Sequence, residues 1–242
     1  MKKKILIMIL LILVVFVDVY SINHLWTPKS KTYYISENII ANVVEPTNNQ
    51  PKINVVEELR KEYKNDDIKG VLSIDNSDYN AIVTQTTDNS FYLSRDANKT
   101  RDGLGTPFID YRIDLNNTKK ILIFAHNSKY KEMPFKILEN YYDEEYYKEH
   151  KYLTLTLENE NIKYEIFSVY VDYQDFDYYD LNFKNNTEWF NHIKKLKSNS
   201  FYDTGVELES DDDIIILQTC STLKKYSNYK HKFLVVMGRR VK

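Results

Sequence analysis

Hydrophobic residues occur mostly in short runs separated by polar turns. Tyr152–Leu157 alternates strictly between apolar and polar positions, which predicts a strand with one buried face and one wet face. Lys120–Ala125 and Ile214–Leu217 are continuous apolar runs, which predicts fully buried strands. The remaining predicted strands lie around Val71 and Ile74, at Ile82–Val83, at Tyr164–Val171 and at Phe233–Met237. Many short strands of this kind indicate a mainly β protein, in the form of a closed antiparallel barrel with added helices.

Two stretches have helical rather than strand spacing. Residues 54–64 form a short amphipathic pattern, and residues 187–199 form a longer one. Asn186 or Thr187 can cap the second helix, with Glu188 in its first turn. The longer helix is therefore predicted to end shortly before the last two strands.

The N-terminus determines the predicted compartment. Lys2–Lys4 precede Ile5–Val17, an uninterrupted apolar run that suits a signal peptide or a short membrane anchor. No small-residue cleavage site follows Asp18, which favours an uncleaved anchor over residues 1–23. The basic flank then places the N-terminus in the cytoplasm and the rest outside the cell membrane. Residues 24–54 are polar and interpreted as a stalk, which leaves 55–242 as the globular domain.

Composition excludes some functions and makes the cysteine notable. The formal net charge is -2 and no long basic stripe occurs, so nucleic acid is not a predicted partner. The chain has one cysteine, Cys220, which has no partner for a disulfide within its own chain. Such a thiol is an intermolecular bridge, a bystander or a reactive group, and composition does not choose among these.

Two of the predicted buried strands run into reactive side chains. Lys120–Ala125 leads to His126, and Ile214–Leu217 leads through Gln218 and Thr219 to Cys220. A histidine within hydrogen-bond reach of a cysteine can take and return its proton, as nucleophilic catalysis requires. Taken alone, the spacing favours the plainer alternatives, a buried core cysteine and a structural histidine. The sequence has no H-E-x-x-H motif and no second cysteine, so no metal site is predicted.

At these residues the chain resembles the sortases, most closely class B. The family's strand-end motif T-L-x-T-C corresponds to residues 216–220, and its Y-G-H-N motif corresponds to Phe124–Asn127. Other similar stretches are 87–93, 105–112, 164–170, 175–179 and 200–205. The resemblance spans roughly residues 55–242 in one collinear order. It implies a closed eight-stranded sortase-type barrel with N-terminal helices and a long helix before the cysteine strand.

The resemblance also implies a reaction. The Cys220 thiolate would attack the threonine carbonyl of a C-terminal sorting motif, N-P-x-T-N or similar, in a secreted protein. An amine of a peptidoglycan precursor would then resolve the acyl-enzyme, with His126 moving the protons. The implied partners are secreted motif-bearing proteins, the cell-wall amine and the membrane. No cofactor and no metal are implied.

The resemblance assigns substrate contacts as well. Tyr178 and Tyr179 correspond to a region that lines the family's substrate groove. Gln218 and Thr219, which belong to the cysteine motif, are predicted to contact substrate too.

One position departs from the family pattern. The family has an arginine at the start of the last strand, and Phe233 occupies that position here. Arg239 and Arg240 lie about 20 Å further along the strand. Lys232 is therefore predicted to supply the catalytic cation, brought into the site by a one-residue bulge. Two alternatives stay open: a degenerate sortase-like binding module with weak or no catalysis, and a cysteine protease that hydrolyses its substrate.

Overall fold

The computed structural model describes residues 54–242, in which eight strands close into a barrel. The strands are β1 (Ile68–Ile74), β2 (Asn80–Thr84), β3 (Phe108–Ile109), β4 (Lys120–Phe124), β5 (Tyr152–Leu157), β6 (Asn161–Asp172), β7 (Ile214–Cys220) and β8 (Phe233–Arg240). Their order around the barrel is β1-β2-β3-β4-β7-β8-β6-β5, and β5 pairs with β1 to close it. The predicted eight-stranded barrel is confirmed.

The described residues also form α-helices, which precede or connect the strands. They are α1 (Val55–Tyr63), α2 (Glu144–Glu149) and α3 (Asn186–Ser198). Short 3₁₀ helices occur at Phe91–Ser94, Lys136–Tyr142, Asp177–Tyr179 and Lys224–Tyr226. Helix α3 is the long helix expected before the cysteine strand. Its cap is Asn185, one residue before the predicted positions, because the extended backbone there lets the side chain accept from the Glu188 N–H at 2.9 Å.

The barrel is mixed, which corrects the expectation of a purely antiparallel one. β2 pairs with β3 in parallel, and β4 pairs with β7 in parallel. Both β4 and β7 are continuous apolar runs, the pattern of strands covered on both faces and joined by a long crossover. Because parallel strands run the same way, the carboxyl ends of β4 and β7 meet at one edge of the barrel.

A buried lysine ties helix α3 to the barrel. Lys120, the first residue of β4, is 2% exposed. Its ammonium group lies 2.7 Å from the Asp180 carbonyl oxygen and 3.0 Å from His192 Nε2 on α3. Burial lowers the pKa of Lys120 to about 7 and the pKa of His192 to about 3, so the neutral imidazole can accept from the lysine.

The predicted anchor (1–23) lies outside the described residues, as does the predicted stalk except for Asn54. Within 54–242 no helix has the length and hydropathy needed to cross a membrane.

Candidate active site

Two paired parallel strands lead into His126 and Cys220 at the same end of the barrel. The β4–β7 ladder pairs Lys120 with Ile214 and ends at the pair Phe124–Gln218. The Ala125 N–H extends it by donating to the Gln218 carbonyl at 3.3 Å. Beyond the ladder, Asn127, the residue after His126, donates its Nδ2 hydrogen to the Cys220 carbonyl at 3.0 Å. The segments that carry the two predicted reactive residues are therefore in contact at the ends of one strand pair.

A backbone carbonyl fixes how the His126 ring is protonated. The His126 Nε2 atom lies 2.8 Å from the carbonyl oxygen of Leu93. A carbonyl oxygen only accepts, so the Nε2 atom carries the hydrogen. In the neutral ring the Nδ1 atom then keeps its lone pair and is the available base.

The Cys220 thiol lies at the surface in its unmodified form. The surrounding protein removes enough solvent to raise the pKa of the thiol, and the charge of Lys232 opposes this by lowering it. The net shift is upward, so at neutral pH the resting cysteine is a thiol rather than a thiolate. Nucleophilic attack therefore requires a base, and His126, next to the Asn127 that contacts Cys220, is the candidate.

Phe233 is the residue that the resemblance places at the family's arginine position. β7 pairs with β8 without a register shift from Ile214–Arg239 to Cys220–Phe233, and the Ser221 N–H then donates to the Lys232 carbonyl at 3.0 Å. Directly opposed residues share a face of the sheet, so Phe233 lies on the same face as Cys220. The prediction of a bulge at Lys232 is wrong, because the ladder continues regularly through this point.

The charge of Lys232 reaches Cys220 even though no bulge turns the lysine side chain toward it. Its ammonium group donates to the Tyr229 carbonyl at 3.0 Å, and its charge lowers the pKa of the Cys220 thiol. Arg239 instead pairs with Glu165 at 2.8 Å, opposite the first residue of β7. The catalytic role of Lys232 stays a prediction, with its charge within electrostatic reach of the thiol.

Substitution of Lys232 tests its predicted role as the catalytic cation. Lys232→Ala should lower kcat for transpeptidation about 10²- to 10³-fold, the loss typical of one group that stabilises developing negative charge. The pKa of Cys220 should rise as well, because the opposing cation is gone, so iodoacetamide should alkylate the variant more slowly at neutral pH. Lys230→Ala, an exposed lysine in the same loop, is the matched control. Full transpeptidation by Lys232→Ala would exclude the assignment.

The predicted substrate-binding residues differ in exposure. Tyr179 is 38% exposed, and the Arg112 guanidinium lies 4.2 Å from the centroid of its ring. Tyr178 is 2% exposed and Gln218 is half-buried. Thr219 is fully buried, and its hydroxyl donates to the Ala125 carbonyl at 2.7 Å. Tyr179 thus offers a surface to a ligand, whereas the Thr219 hydroxyl is engaged in holding β7 to β4.

Sequence reasoning missed a set of polar contacts behind the pair. The Asn127 Nδ2 atom donates to the Cys220 carbonyl at 3.0 Å and to Glu139 Oε1 at 2.9 Å. Glu139 also accepts from Thr222 and pairs with Lys136. Asn127 could have been noticed as the residue after the histidine. Glu139 carries no sequence signal, because only folding brings it to the cysteine loop.

One group of carboxylates within 54–242 is close enough to share a cation. It comprises Glu209, Asp211 and Asp212, next to the start of β7 and therefore at the other end of that strand from Cys220. Lys242 lies among them, 3.0 Å from Asp211 and 3.6 Å from Asp212. The carboxylates of this group are thus paired with the ammonium of Lys242.

A closed barrel in which two paired parallel strands lead into a cysteine and a histidine is an arrangement suited to a cysteine enzyme of the acyl-transfer type. A family model described as the Sortase domain matches residues 72–241. Sortase B of Listeria monocytogenes is 32% identical over 193 residues, which cover 77% of this chain and 75% of that protein. The chain belongs to the sortase family, class B, and is a sortase-type cysteine transpeptidase.

Solved structures of sortase B proteins are similar in fold to this chain. The Staphylococcus aureus sortase B–substrate complex matches with a TM-score of 0.69 and 25% identity, covering 78% of this chain and 85% of that one. A sortase B complexed with triglycine matches with a TM-score of 0.69 and 26% identity, covering 78% of this chain and 86% of that one. The barrel is thus the same in proteins solved with a substrate and with a short glycine peptide.

Proposed function

We propose that this protein cuts an N-P-x-T-N-like sorting motif of secreted proteins after the threonine and joins the threonine to a cell-wall amine. The observation that carries the proposal is the parallel β4–β7 pair, which leads into His126 and Cys220 at one end of the barrel, where Asn127 donates to the Cys220 carbonyl. The hydrogen bond from His126 Nε2 to the Leu93 carbonyl supports it, because it leaves Nδ1 free to act as the base. The single cysteine of the chain is then the nucleophile.

The chemistry uses one proton acceptor twice. His126 Nδ1 takes the Cys220 proton while the sulfur attacks the threonine carbonyl, forming a tetrahedral oxyanion. Collapse breaks the peptide bond, His126 returns the proton to the leaving amine, and a thioester remains on Cys220. An incoming amine attacks the thioester, and His126 takes its extra proton. The C–S bond then breaks as the new amide forms, and His126 returns the proton to the departing Cys220 thiolate.

The acceptor is proposed to be a primary amine of a peptidoglycan precursor. A sortase B has been solved with triglycine, which has a free amino group of this kind. The exposed ring of Tyr179 and the Arg112 guanidinium stacked on it offer a surface for the peptide. The Lys232 ammonium is the proposed partner of the oxyanion.

Trapping of the acyl-enzyme tests the proposal. Residues 54–242 should be incubated with a panel of sorting-motif peptides, and intact-mass spectrometry should show the acyl adduct. We expect the adduct on Cys220 with an N-P-x-T-N-like peptide, and its conversion to ligated product when triglycine is added. A folded protein that binds the peptide without an adduct would instead be a binding module. An adduct that water releases faster than amine does would indicate a hydrolysing protease.

We also propose that the domain is held outside the cell membrane by residues 1–23. The basic residues Lys2–Lys4 followed by the apolar run Ile5–Val17 support this orientation. Full-length protein should sediment with membranes and be digested by protease added to intact cells, whereas a chain beginning at residue 24 should not sediment with membranes. Membrane association of the shortened chain would refute the assignment.

A further inference from the structure

We infer that Glu139 is a positioning residue that holds the histidine loop and the cysteine loop in register for catalysis. This inference rests on the proposed function of Cys220 and His126. Glu139 lies in the 3₁₀ helix Lys136–Tyr142, which follows the histidine loop in sequence and is remote from Cys220 along the chain.

The carboxylate of Glu139 contacts both loops through one oxygen atom. Asn127, the residue after His126, donates its Nδ2 to Glu139 Oε1 at 2.9 Å. Thr222, two residues after Cys220, donates its hydroxyl to the same oxygen. The other oxygen pairs with Lys136. One side chain therefore joins the segment that carries the base to the segment that carries the nucleophile.

The amide of Asn127 completes the link. Its Nδ2 also donates to the Cys220 carbonyl at 3.0 Å, and its Oδ1 accepts from the Ser128 N–H at 2.7 Å. Both amide hydrogens and the amide oxygen thus have partners, which fixes the orientation of the group. Without Glu139 one of the two hydrogens loses its acceptor, and the amide can rotate away from Cys220.

The same 3₁₀ helix makes a second contact with the cysteine loop. The Tyr142 hydroxyl lies 2.9 Å from the Ser221 hydroxyl. Together with Thr222 on Glu139, this fixes the two residues directly after Cys220. The helix therefore supports the loop that follows the nucleophile, at the point where β7 ends.

Glu139 is ionised in this setting. Burial alone would raise the pKa of the carboxyl, but the hydrogen bonds from Lys136, Thr222 and Asn127 outweigh burial and lower it. Hydrogen bonds to a charged acceptor are stronger than those between neutral groups. The inferred role is geometric, because the Glu139 carboxylate contacts Asn127 and Thr222 on the two loops.

A set of four variants tests the inference: Glu139→Ala, Glu139→Gln, Asn127→Ala and the double alanine variant. Glu139→Ala should lower kcat about 10- to 100-fold, the loss expected from small misplacement of reacting groups, with KM changed less than about threefold. Glu139→Gln keeps an acceptor oxygen and should retain most of kcat. Because both residues act in one network, the double variant should be no slower than the slower single one.

A matched control separates positioning from stability. Glu165 is also a half-buried carboxylate in an ion pair, with Arg239 at 2.8 Å, but it lies on β6 away from Cys220. Glu165→Ala should lower Tm by an amount similar to Glu139→Ala and leave kcat within about twofold of the parent. An equal loss of kcat in Glu165→Ala would show that stability, rather than position, controls the rate.

Alkylation by iodoacetamide gives a readout that needs no sorting motif. If His126 activates the thiol, His126→Ala should slow alkylation of Cys220 at neutral pH, and Glu139→Ala should slow it in the same sense while Glu139→Gln does not. This arm holds even if no peptide proves to be a substrate, so it distinguishes failure of this inference from failure of the proposed function. Parental alkylation and parental kcat in Glu139→Ala would overturn the inference, as would multiplying losses in the double variant.

Discussion

Cys220→Ala is expected to lower transpeptidation by at least about 10⁴-fold, which is the scale of loss when an enzyme nucleophile is removed. The chain contains no other cysteine, so no neighbouring thiol can replace it. Ligated product should be measured by chromatography with a motif peptide and triglycine. Intact-mass spectrometry should show the acyl adduct on the parent and none on the variant.

The control for Cys220→Ala is a test of whether the variant still folds. Cys220 lies at the barrel surface at the last position of β7, so its replacement by alanine should cost little stability. The variant should keep the parental circular dichroism spectrum and bind the motif peptide. Stoichiometric alkylation of the parent, one label per chain, should abolish activity in the same assay. Turnover by the alanine variant at even one hundredth of the parental rate would exclude Cys220 as the nucleophile.

His126→Ala is expected to have the second largest effect, a loss of about 10²- to 10⁴-fold in kcat. The raised pKa of the Cys220 thiol explains the size of this loss: without the base, little thiolate is present at neutral pH. Raising the pH should recover part of the lost rate of acylation, because hydroxide then generates the thiolate. Rates of adduct formation should be compared between the parent and the variant across the neutral to alkaline range.

His150 offers a control for the loss of an imidazole. It follows helix α2, and its ring nitrogens lie 2.9 Å from the Tyr146 carbonyl oxygen and 3.2 Å from the Asn76 carbonyl oxygen. His150→Ala should lower Tm through these lost contacts and leave kcat near the parental value. If His126→Ala keeps more than a tenth of the parental kcat with the motif peptide, His126 is not the general base.

Local patterns were sufficient for the main elements of the barrel. The apolar runs at β4 and β7, the alternation at β5 and the amphipathic period of α3 each appear in the structure close to their predicted bounds. These patterns are legible because a strand or helix must bury one face, and its period shows which face. The direction of pairing is not local, so the parallel β4–β7 pair was not predicted.

Some features of the candidate site were likewise predicted from the sequence and others were not. Cys220 and His126 stood out because each follows a buried strand, but that spacing alone favoured a core cysteine and a structural histidine. The resemblance to the sortases is what assigned them as nucleophile and base. The regular β7–β8 register through Phe233 was not predicted, because a bulge leaves no mark in one sequence. The burial of Thr219 against the Ala125 carbonyl was also missed, since the cysteine motif does not say which way each side chain faces.

The sequence by itself determined which residues are chemically able to act: one unpaired thiol, and one imidazole at the end of a buried strand. Tertiary structure decided how they meet. Parallel pairing of β4 with β7 brings the segment of His126 against that of Cys220, and Glu139 reaches both loops from a helix that neither motif includes. The reason is physical: reactivity depends on residue type, whereas distance and protonation depend on contacts between segments far apart in the chain.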